Sequence, residues 1–300
     1  MIDCTLVTCE ELPSLDPDDR LLAGELRRRG VSVGIATWSD PRVAWEETRL
    51  CVLRSTWDYH YRYDEFLRWI ARTASVTRLR NGPGLVAWNA DKAYLRDMAQ
   101  RGVPVVPTAW LARGARCALD ELAATNGWRR IVIKPARGAA AHDVMLVAAD
   151  RTMLTRGQGH LDRLLRTQEA LVQPYLESVE TYGERALMFF RGEYSHAVVK
   201  KPFDTVLKIS DARSTLVTAT DDEIAAATSA IAAIPGDTLY ARVDLLRDDA
   251  GGACVNEVEL IEPALYVGVH DPARTLFADA IVRELDEPSA PTPVAACGIG

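Results

Sequence analysis

Three acidic side chains in the last quarter of the chain carry the most specific chemical signal. Asp244 lies in one apolar segment and Glu257 and Glu259 lie in the next, with an Asp-Asp-Ala-Gly-Gly turn between the segments. Residues two apart on a strand share a face, so the glutamates point the same way, and a hairpin would bring Asp244 beside them. Carboxylates gathered in this way suit Mg²⁺, since hard cations prefer oxygen ligands. A solvated face of an antiparallel sheet is the alternative interpretation.

Basic side chains stand where they could neutralise an anion. Arg242 shares the face of the first of these acids, where it could stabilise a developing oxyanion or form a structural ion pair with Glu257. Lys134 ends the apolar run IVIK and precedes a loop of small residues, 136–142, whose backbone amides could approach phosphates. A strand-end lysine more often extends into solvent, and Lys92 on an earlier helix is a weaker candidate.

A third candidate is the segment LVQPYLESVE at 171–180. An apolar strand that runs into Gln-Pro-Tyr-Leu is typical of a hinge whose exposed backbone groups could contact the edge of an adenine ring. Glu180 or Glu184 could then bind ribose hydroxyls. An irregular connection between two lobes is the alternative interpretation of the same residues.

The elements that must position these residues begin with an alternation of apolar runs and helical patterns, which predicts a parallel sheet. The predicted elements of this first part are strands at 4–8, 31–36 and 50–54 and helices at 18–29 and 62–73, the first helix ended by Gly30. Next we expect a helix over 90–101 capped by Asn89, a hairpin-like pair at 131–135 and 143–147, a β-rich part from Leu171, and helices at 221–233 and 273–285.

This pattern predicts an α/β protein of three lobes and a tail. The expected units are an N-terminal α/β lobe at 1–88, a small central α+β lobe at 89–168, a larger C-terminal lobe with an antiparallel sheet and the metal site at 169–287, and a flexible tail at 288–300.

Composition excludes several classes of partner. The 300 residues carry a net charge of −7, which argues against general binding to nucleic acid or an anionic membrane. No apolar run approaches the roughly 20 residues of a membrane span. The amino-terminal MIDCTLVTCEELP predicts a buried strand and not a signal peptide, and six dispersed cysteines without Cys-x-x-Cys predict buried thiols. We therefore expect a cytoplasmic protein with no nucleic-acid or membrane partner.

Taken in order, these residues resemble the ATP-grasp superfamily of ligases. The segment RVDLL…VNEVELIEP is similar to the metal-binding hairpin of D-alanine–D-alanine ligases and glutathione synthetases, with Glu259 where those families usually carry Asn. The resemblance implies a three-lobed fold with ATP and Mg²⁺ between the middle and last lobes. It also implies that a substrate carboxylate becomes an acyl phosphate, which a nitrogen then attacks.

The same resemblance implies a role for each matching residue. The implied metal ligands are Asp244, Glu257 and Glu259, and the implied catalytic cation is Arg242. Arg185 is a further catalytic candidate, which could bind the substrate carboxylate. The implied nucleotide-binding residues are Lys92, Lys134, Arg137, Gly138, Ala139, Gln173, Tyr175, Leu176, Glu180 and Glu184. The phosphate loop is the poorest match, because it carries alanines where the superfamily often has glycines.

Finer features resemble a bacterial branch of the superfamily that includes D-cycloserine synthetase, an enzyme that cyclises O-ureido-D-serine. These features are LRSTWDYHYRYDEFL, GERALMFFRGEYSHAVVKKP and ELIEPALY, whereas KISDARSTL at 208–216 departs from what we expect of the branch. The implied substrate is small and amino-acid-like, and parallel sheets place ligands at the carboxyl ends of strands. Candidate substrate residues are Ser55, Thr56, Trp57, Asp58 and Lys200.

Two other functions fit the same residues. An intermolecular amide or peptide ligase would release a joined product, and a non-catalytic nucleotide-binding module would bind ATP without releasing phosphate. A nicotinamide dehydrogenase is disfavoured, because no GxGxxG follows the first strand. The sequence is compatible with a homodimer and does not determine the oligomeric state.

Overall fold

The computed structural model describes residues 1–138, 142–148, 150–200 and 214–287. Within these ranges the chain forms three β-sheets covered by helices. None of the helices in these ranges is both long and apolar enough to cross a membrane. The predicted tail at 288–300 and residues 208–213 of the KISDARSTL segment lie outside the described residues.

The first sheet is parallel, as predicted. It consists of β1 (Ile2–Thr8), β2 (Val33–Thr37), β3 (Thr48–Ser55) and β4 (Arg78–Arg80), in the order β2-β1-β3-β4. Helices α1 (Pro17–Arg28) and α2 (Tyr63–Val76) pack on opposite faces, so most of β1 and β3 is buried. Gly30 follows α1 with φ 81°, a left-handed conformation that a residue without Cβ adopts at little cost.

Two short helices, α3 (Pro83–Asn89) and α4 (Tyr94–Gln100), follow the first sheet. The prediction that Asn89 caps one helix over 90–101 is wrong, because Asn89 is the last residue of α3. Its side-chain amide donates to the Val258 carbonyl at 2.7 Å, and its side-chain oxygen accepts from the Leu260 amide at 2.8 Å. The side-chain groups of Asn89 that could have capped a helix are therefore bound instead to a segment distant in sequence.

The second sheet is antiparallel. It consists of β5 (Ala109–Leu111), β6 (Arg130–Pro135), β7 (Met145–Ala148) and β8 (Ala170–Pro174), in the order β5-β8-β6-β7. Strands β6 and β7 form the predicted hairpin, with Ile131 opposite Val147. Helices α5 (Leu119–Asn126) and α6 (Arg151–Leu165), which the sequence analysis did not predict, pack against this sheet through Leu119 and Leu161.

Strand β8 pairs with β5 and β6, so the change from the second to the third sheet comes after Pro174. The predicted division between 168 and 169 placed this strand in the C-terminal lobe. A five-residue apolar run forms a strand in either sheet, and only the pairing decides which one it joins.

The third sheet is also antiparallel. After the single turn of α7 (Ser178–Thr181), it is built from β9 (Glu184–Phe190), β10 (Glu193–Lys200), β11 (Thr215–Val217), β12 (Tyr240–Arg247) and β13 (Ala253–Glu259), in the order β11-β10-β9-β12-β13. Helix α8 (Asp221–Ala232) covers one face and α9 (Asp271–Asp286) lies at the other, which confirms both predicted helices.

A shared hydrophobic core joins the first and third sheets. Leu6 and Val52 of the parallel sheet belong to the same buried cluster as Met188 and Tyr240 of the third sheet, with Phe277 of α9 between them. Burial of this apolar surface holds the carboxyl edge of the parallel sheet beside the third sheet. Of the cysteines in the described ranges, all are free thiols and all but Cys117 are buried.

The side chain of Asn81, which follows β4, forms a buried polar connection between the first and third sheets. Its amide donates to the carbonyls of Tyr240 at 2.9 Å and Leu260 at 2.8 Å, and its oxygen accepts from the amide of Leu239 at 2.8 Å. Asn81 is fully buried, so removing its amide leaves backbone groups with unmet hydrogen bonds.

We predict that Asn81→Ala lowers the free energy of unfolding by about 3 kcal/mol, because an unsatisfied buried polar group costs about 1–3 kcal/mol. Urea unfolding measures the change. Asn126→Ala, at an exposed helix end, serves as the control and should stay within about 0.5 kcal/mol of the wild type. Equal unfolding curves for the two variants would contradict the assignment.

Candidate active site

The predicted carboxylates meet on one face of the hairpin formed by β12 and β13. Asp244 lies opposite Glu257 and Arg242 lies opposite Glu259 in the antiparallel register. Residues directly opposite in such a pair project from the same face of the sheet. The hairpin and the common face inferred from the sequence are therefore confirmed.

Arg242 is held by acceptors on three sides. Its Nε donates to Asp244 Oδ1 at 2.8 Å and its Nη2 to Asp244 Oδ2 at 3.0 Å, a bidentate pair. Nη2 also donates to Glu259, and Nη1 donates to the carbonyl of Ala264 at 3.2 Å. Burial disfavours the charged guanidinium, but Asp244 and Glu259 outweigh it and raise the pKa of Arg242 further. The guanidinium is therefore fixed in direction and charge.

Lys200 and Glu184 extend this network across the neighbouring strands. The Lys200 ammonium lies 2.6 Å from Asp244 Oδ2 and 3.1 Å from Glu184 Oε2. Asp244 is only 1% exposed, and burial alone would raise its pKa. Arg242 and Lys200 overcome that effect and lower the pKa to about 2, so the carboxylate stays ionised.

Two further lysines reach the same face from the residues before α4 and from the second sheet. The Lys92 ammonium lies 3.0 Å from Glu257 Oε1 and donates to the Gly138 carbonyl at 2.8 Å. Lys134 donates to Asn256 Oδ1 at 2.8 Å. Burial tends to raise the pKa of Glu257, but Lys92 and Lys134 lower it by more. Cations and acids thus alternate in space across the junction of the second and third sheets.

The loop of small residues is described only in part. Gly138 offers its carbonyl to Lys92, and Arg137 forms an ion pair with Asp91, with Nε 2.9 Å from Oδ2. Arg137 is largely exposed, whereas Ala139 lies outside the described residues.

The hinge residues surround the end of β8. Gln173 donates to the Thr108 hydroxyl at 2.9 Å. Tyr175 donates to Glu180 Oε1 at 3.0 Å, and Glu180 also pairs with Arg130 at 3.0 Å. Glu180 therefore lies at the hinge, whereas Glu184 lies in the charged network.

Leu176 packs in a small apolar cluster beside the hinge. Its neighbours in this cluster are Val106, Cys254 and Leu246. The preceding residue, Val105, forms a parallel bridge to Val255 of the third sheet, in which the Val106 amide donates to the Val255 carbonyl at 3.0 Å. An apolar patch between two sheets is the kind of surface that a flat aromatic base can occupy.

Ser55 and Thr56 lie at the carboxyl end of β3. The Ser55 hydroxyl donates to Asp19 Oδ2 at 2.7 Å, and Asp19 in turn pairs with Arg54 at 2.8 Å. The Thr56 hydroxyl is buried without a hydrogen-bond partner. The Ser55 hydroxyl is therefore already hydrogen-bonded within the protein, whereas the Thr56 hydroxyl can still form a hydrogen bond.

Trp57 and Asp58 are also bound to the protein itself. The Trp57 indole donates to the Glu262 carbonyl at 3.0 Å, which connects the first lobe to the segment after β13. Asp58 Oδ1 accepts from the Trp38 indole at 2.7 Å and is buried. Asp58 thus has a structural role in the first lobe.

Arg185 does not join the other predicted residues. It lies opposite Val199 and Leu245, whereas Arg242 projects from the other face of the sheet, because successive residues of a strand alternate. Its guanidinium lies 4.1 Å from the ring centre of Tyr182. The placement gives no support to the predicted catalytic role.

Sequence reasoning missed Asn256, which connects Lys134 to Glu184. Its amide donates to Glu184 Oε1 at 2.7 Å. The signal was present in the sequence: two apolar residues, Cys254 and Val255, are followed by two polar ones, which breaks the alternation of a regular strand.

The side chains on this face determine whether it could bind a metal ion. In the described part of the chain, no group of three or more His, Cys, Asp or Glu side chains forms a metal cage. Mg²⁺ usually binds through one or two carboxylates together with substrate phosphates and water. Asp244 and Glu257, in register beside Lys92 and Lys134, fit a metal that arrives with a polyphosphate.

Comparisons with known proteins address the family and the fold of the chain. Residues 4–81 match the family model described as D-cycloserine synthetase DcsG, N-terminal domain. The cycloserine biosynthesis protein DcsG of Streptomyces lavendulae is 35% identical over 298 residues, covering 93% of this chain and 98% of that protein. The crystal structure of D-cycloserine synthetase DcsG is 34% identical, with a TM-score of 0.83 over 94% of this chain and 99% of that chain.

A more distant structure shares the fold. The D-alanine–D-alanine ligase from Bacillus anthracis complexed with ATP has a TM-score of 0.65 at 14% identity, covering 95% of this chain and 97% of that chain. The predicted architecture, a parallel N-terminal sheet followed by two antiparallel sheets, is the ATP-grasp fold and is confirmed. Within the ATP-grasp ligases, the chain belongs to the family of the cycloserine biosynthesis protein DcsG.

Asp18 lies in the first turn of α1 and is poorly accommodated as an anion. Burial raises its pKa to about 6, Asp16 and Asp19 add to this effect, and a hydrogen bond from the Gly268 amide opposes it. The native-state pKa is higher than the unfolded-state value, so the free energy of unfolding falls as the pH rises from about 4 to about 6 and stays lowered above that range.

We predict that Asp18→Asn increases the free energy of unfolding by about 1 kcal/mol at pH 8, after allowing for the partial exposure of this side chain. The gain should shrink towards zero as the pH falls from 6 to 4, because the wild-type carboxyl becomes neutral. Urea unfolding at several pH values measures it, with the exposed Asp249→Asn as control. A gain that does not depend on pH would show that the buried charge of Asp18 is not its cause.

Proposed function

We propose that this chain is an ATP- and Mg²⁺-dependent carbon–nitrogen ligase that cyclises O-ureido-D-serine to D-cycloserine. The observation that carries the proposal is the face on which Lys92, Lys134, Arg242, Asp244 and Glu257 converge. The 35% identity to the cycloserine biosynthesis protein over nearly the whole chain supports the choice of substrate.

The lysines are arranged to bind phosphate groups. Lys134 is held by the neutral side chain of Asn256, and burial lowers its pKa against the opposing effect of Glu257. An anion brought next to this ammonium would offset its desolvation. Lys92 holds Gly138 of the small-residue loop and reaches the same place. We assign both lysines to the phosphates of ATP.

The hinge is assigned to the nucleoside. Leu176 and the apolar residues around it would contact the adenine ring, while Gln173 and Tyr175 shape the end of β8. Glu180 is the better candidate for the ribose hydroxyls, because it stands at the hinge and is half exposed. Glu184 is occupied by Lys200 and Asn256.

Asp244 and Glu257 would hold Mg²⁺ together with the phosphates, with Glu259 beside them as the third predicted acid, and the ion would supply positive charge for phosphoryl transfer. Arg242 would stabilise the oxyanion that forms when nitrogen attacks the acyl phosphate. Its bidentate bond to Asp244 fixes it before the reaction, so no reorganisation is needed when charge develops.

The proposed reaction begins when the substrate carboxylate attacks the γ-phosphorus of ATP, which forms an acyl phosphate and releases ADP. The oxygen-bound nitrogen of the ureido group then attacks the acyl carbon, and phosphate leaves as the ring closes. Conversion to cycloserine also requires water to remove the carbamoyl group as carbamic acid, which decomposes to ammonia and carbon dioxide. Both reacting groups belong to one molecule, so the attack is intramolecular and needs no second substrate to bind.

Thr56 and Lys200 are the candidates to position this substrate.

We predict that Glu257→Gln lowers turnover by at least about 10²-fold, since a neutral amide is a weaker ligand for a hard cation. ADP release across a Mg²⁺ titration measures it. Glu121→Gln, which changes an exposed side chain on α5, is the matched control and should retain turnover. Unchanged turnover and Mg²⁺ dependence in Glu257→Gln would exclude this residue as a ligand.

We predict that the wild-type protein, given O-ureido-D-serine, ATP and Mg²⁺, forms D-cycloserine with no second amine supplied. Mass spectrometry detects the ring, and ammonia release accompanies it. Arg242→Ala should lower the rate by about 10²–10³-fold while changing ADP affinity much less, because the guanidinium acts once the oxyanion forms.

The competing outcomes are distinct. ADP that accumulates only when a separate amine is added, with a linear amide as product, would reject the cyclase and retain the ligase. Binding of ATP without any phosphate release on a panel of amino-acid-like carboxylates would reject catalysis.

A further inference from the structure

A β-bulge places Asn256 in the charged network. Along the hairpin, Asp244 lies opposite Glu257 but Leu245 lies opposite Val255, so Asn256 has no partner in the ladder. One extra residue on a strand turns the following side chains relative to a regular strand. Asn256 and Glu257, although consecutive, therefore both contact groups of the proposed nucleotide site.

Both polar atoms of the Asn256 amide are used. Its oxygen accepts from Lys134 Nζ at 2.8 Å, and its nitrogen donates to Glu184 Oε1 at 2.7 Å. The other oxygen of Glu184 lies 3.1 Å from the Lys200 ammonium. Asn256 thus connects a lysine of the second sheet to the acidic side chains of the third.

We propose that Asn256 is a positioning residue that acts through Lys134 to hold its ammonium in place for a nucleotide phosphate. The inference rests on the proposed function, since it takes a nucleotide as the ligand. A neutral amide can orient an ammonium without cancelling its charge. A carboxylate at this position would pair with Lys134 and compete with the phosphate.

The amide also separates Lys134 from Glu184. It donates to the carboxylate and accepts from the ammonium, so the two charged groups share a neutral partner. Without that partner, Lys134 would be free to turn towards Glu184 or Glu257. A carboxylate of the protein would then neutralise part of its charge before a nucleotide binds.

The test is a double-mutant cycle on the full-length protein, with Mg²⁺–ADP affinity measured by calorimetry. Asn256→Ala should weaken ADP binding about tenfold, in line with the loss of a hydrogen bond to a charged group. Asn256→Asp, of nearly the same shape, should weaken it further, because the new charge neutralises Lys134 and repels phosphate. In the Lys134→Ala background, Asn256→Ala should cause no further loss.

The KM for the carboxylate substrate should be unchanged in Asn256→Ala while the KM for ATP rises. Asn126→Ala is the control for loss of an exposed amide and should bind ADP like the wild type. Losses that add in full in the double variant, or Asn256→Asp binding as tightly as the wild type, would overturn the positioning role. A wild-type protein that does not bind ADP would instead reject the proposed function, and this role with it.

Discussion

The arrangement of the molecule depends on the pairing of buried charges where the second and third sheets meet. Asp244 is almost without solvent, so its charge is tolerable only because Arg242 and Lys200 contact it directly. Removing one partner of such a pair leaves an uncompensated charge, at a cost of about 3–5 kcal/mol. Each strand that contributes a member is therefore fixed in register by the need to complete the network.

Glu259 shows how tightly the network is balanced. Burial raises its pKa to about 7, and although Arg242 lowers the pKa, the nearby charges of Asp244 and Glu257 raise it. The carboxylates do repel one another, and in this structure the cationic side chains compensate for that repulsion. A metal with bound phosphates would replace some of these contacts, which is why the proposed cofactors suit the same face.

The segment after β13 connects this charged network to the first lobe through hydrogen bonds. Arg242 donates to the carbonyl of Ala264, while Arg54 of β3 donates to the carbonyl of Pro263 at 2.8 Å. Trp57 donates to the next carbonyl back along the chain, that of Glu262. Neighbouring peptide groups thus bind the proposed catalytic arginine on one side and the proposed substrate edge on the other. The distance between the two halves of the site is set by a few backbone carbonyls.

The sequence by itself determined many of the local elements, although not helices α5 and α6, and it predicted the chemistry that we propose. Alternating apolar runs specified the parallel sheet, and the spacing of Asp244, Glu257 and Glu259 specified a face, because strand geometry has a period of two. Those inferences needed only local rules.

Only the tertiary structure decided which distant groups meet. Asn89 binds the backbone of β13 instead of capping a helix, β8 pairs within the central sheet, and Arg185 lies on the face away from Arg242. The bulge at Asn256 breaks the period of two, so its side chain reaches Lys134 of another sheet. Such contacts follow from the packing of whole sheets, whose energy depends on many residues at once and leaves only a weak trace in any short segment.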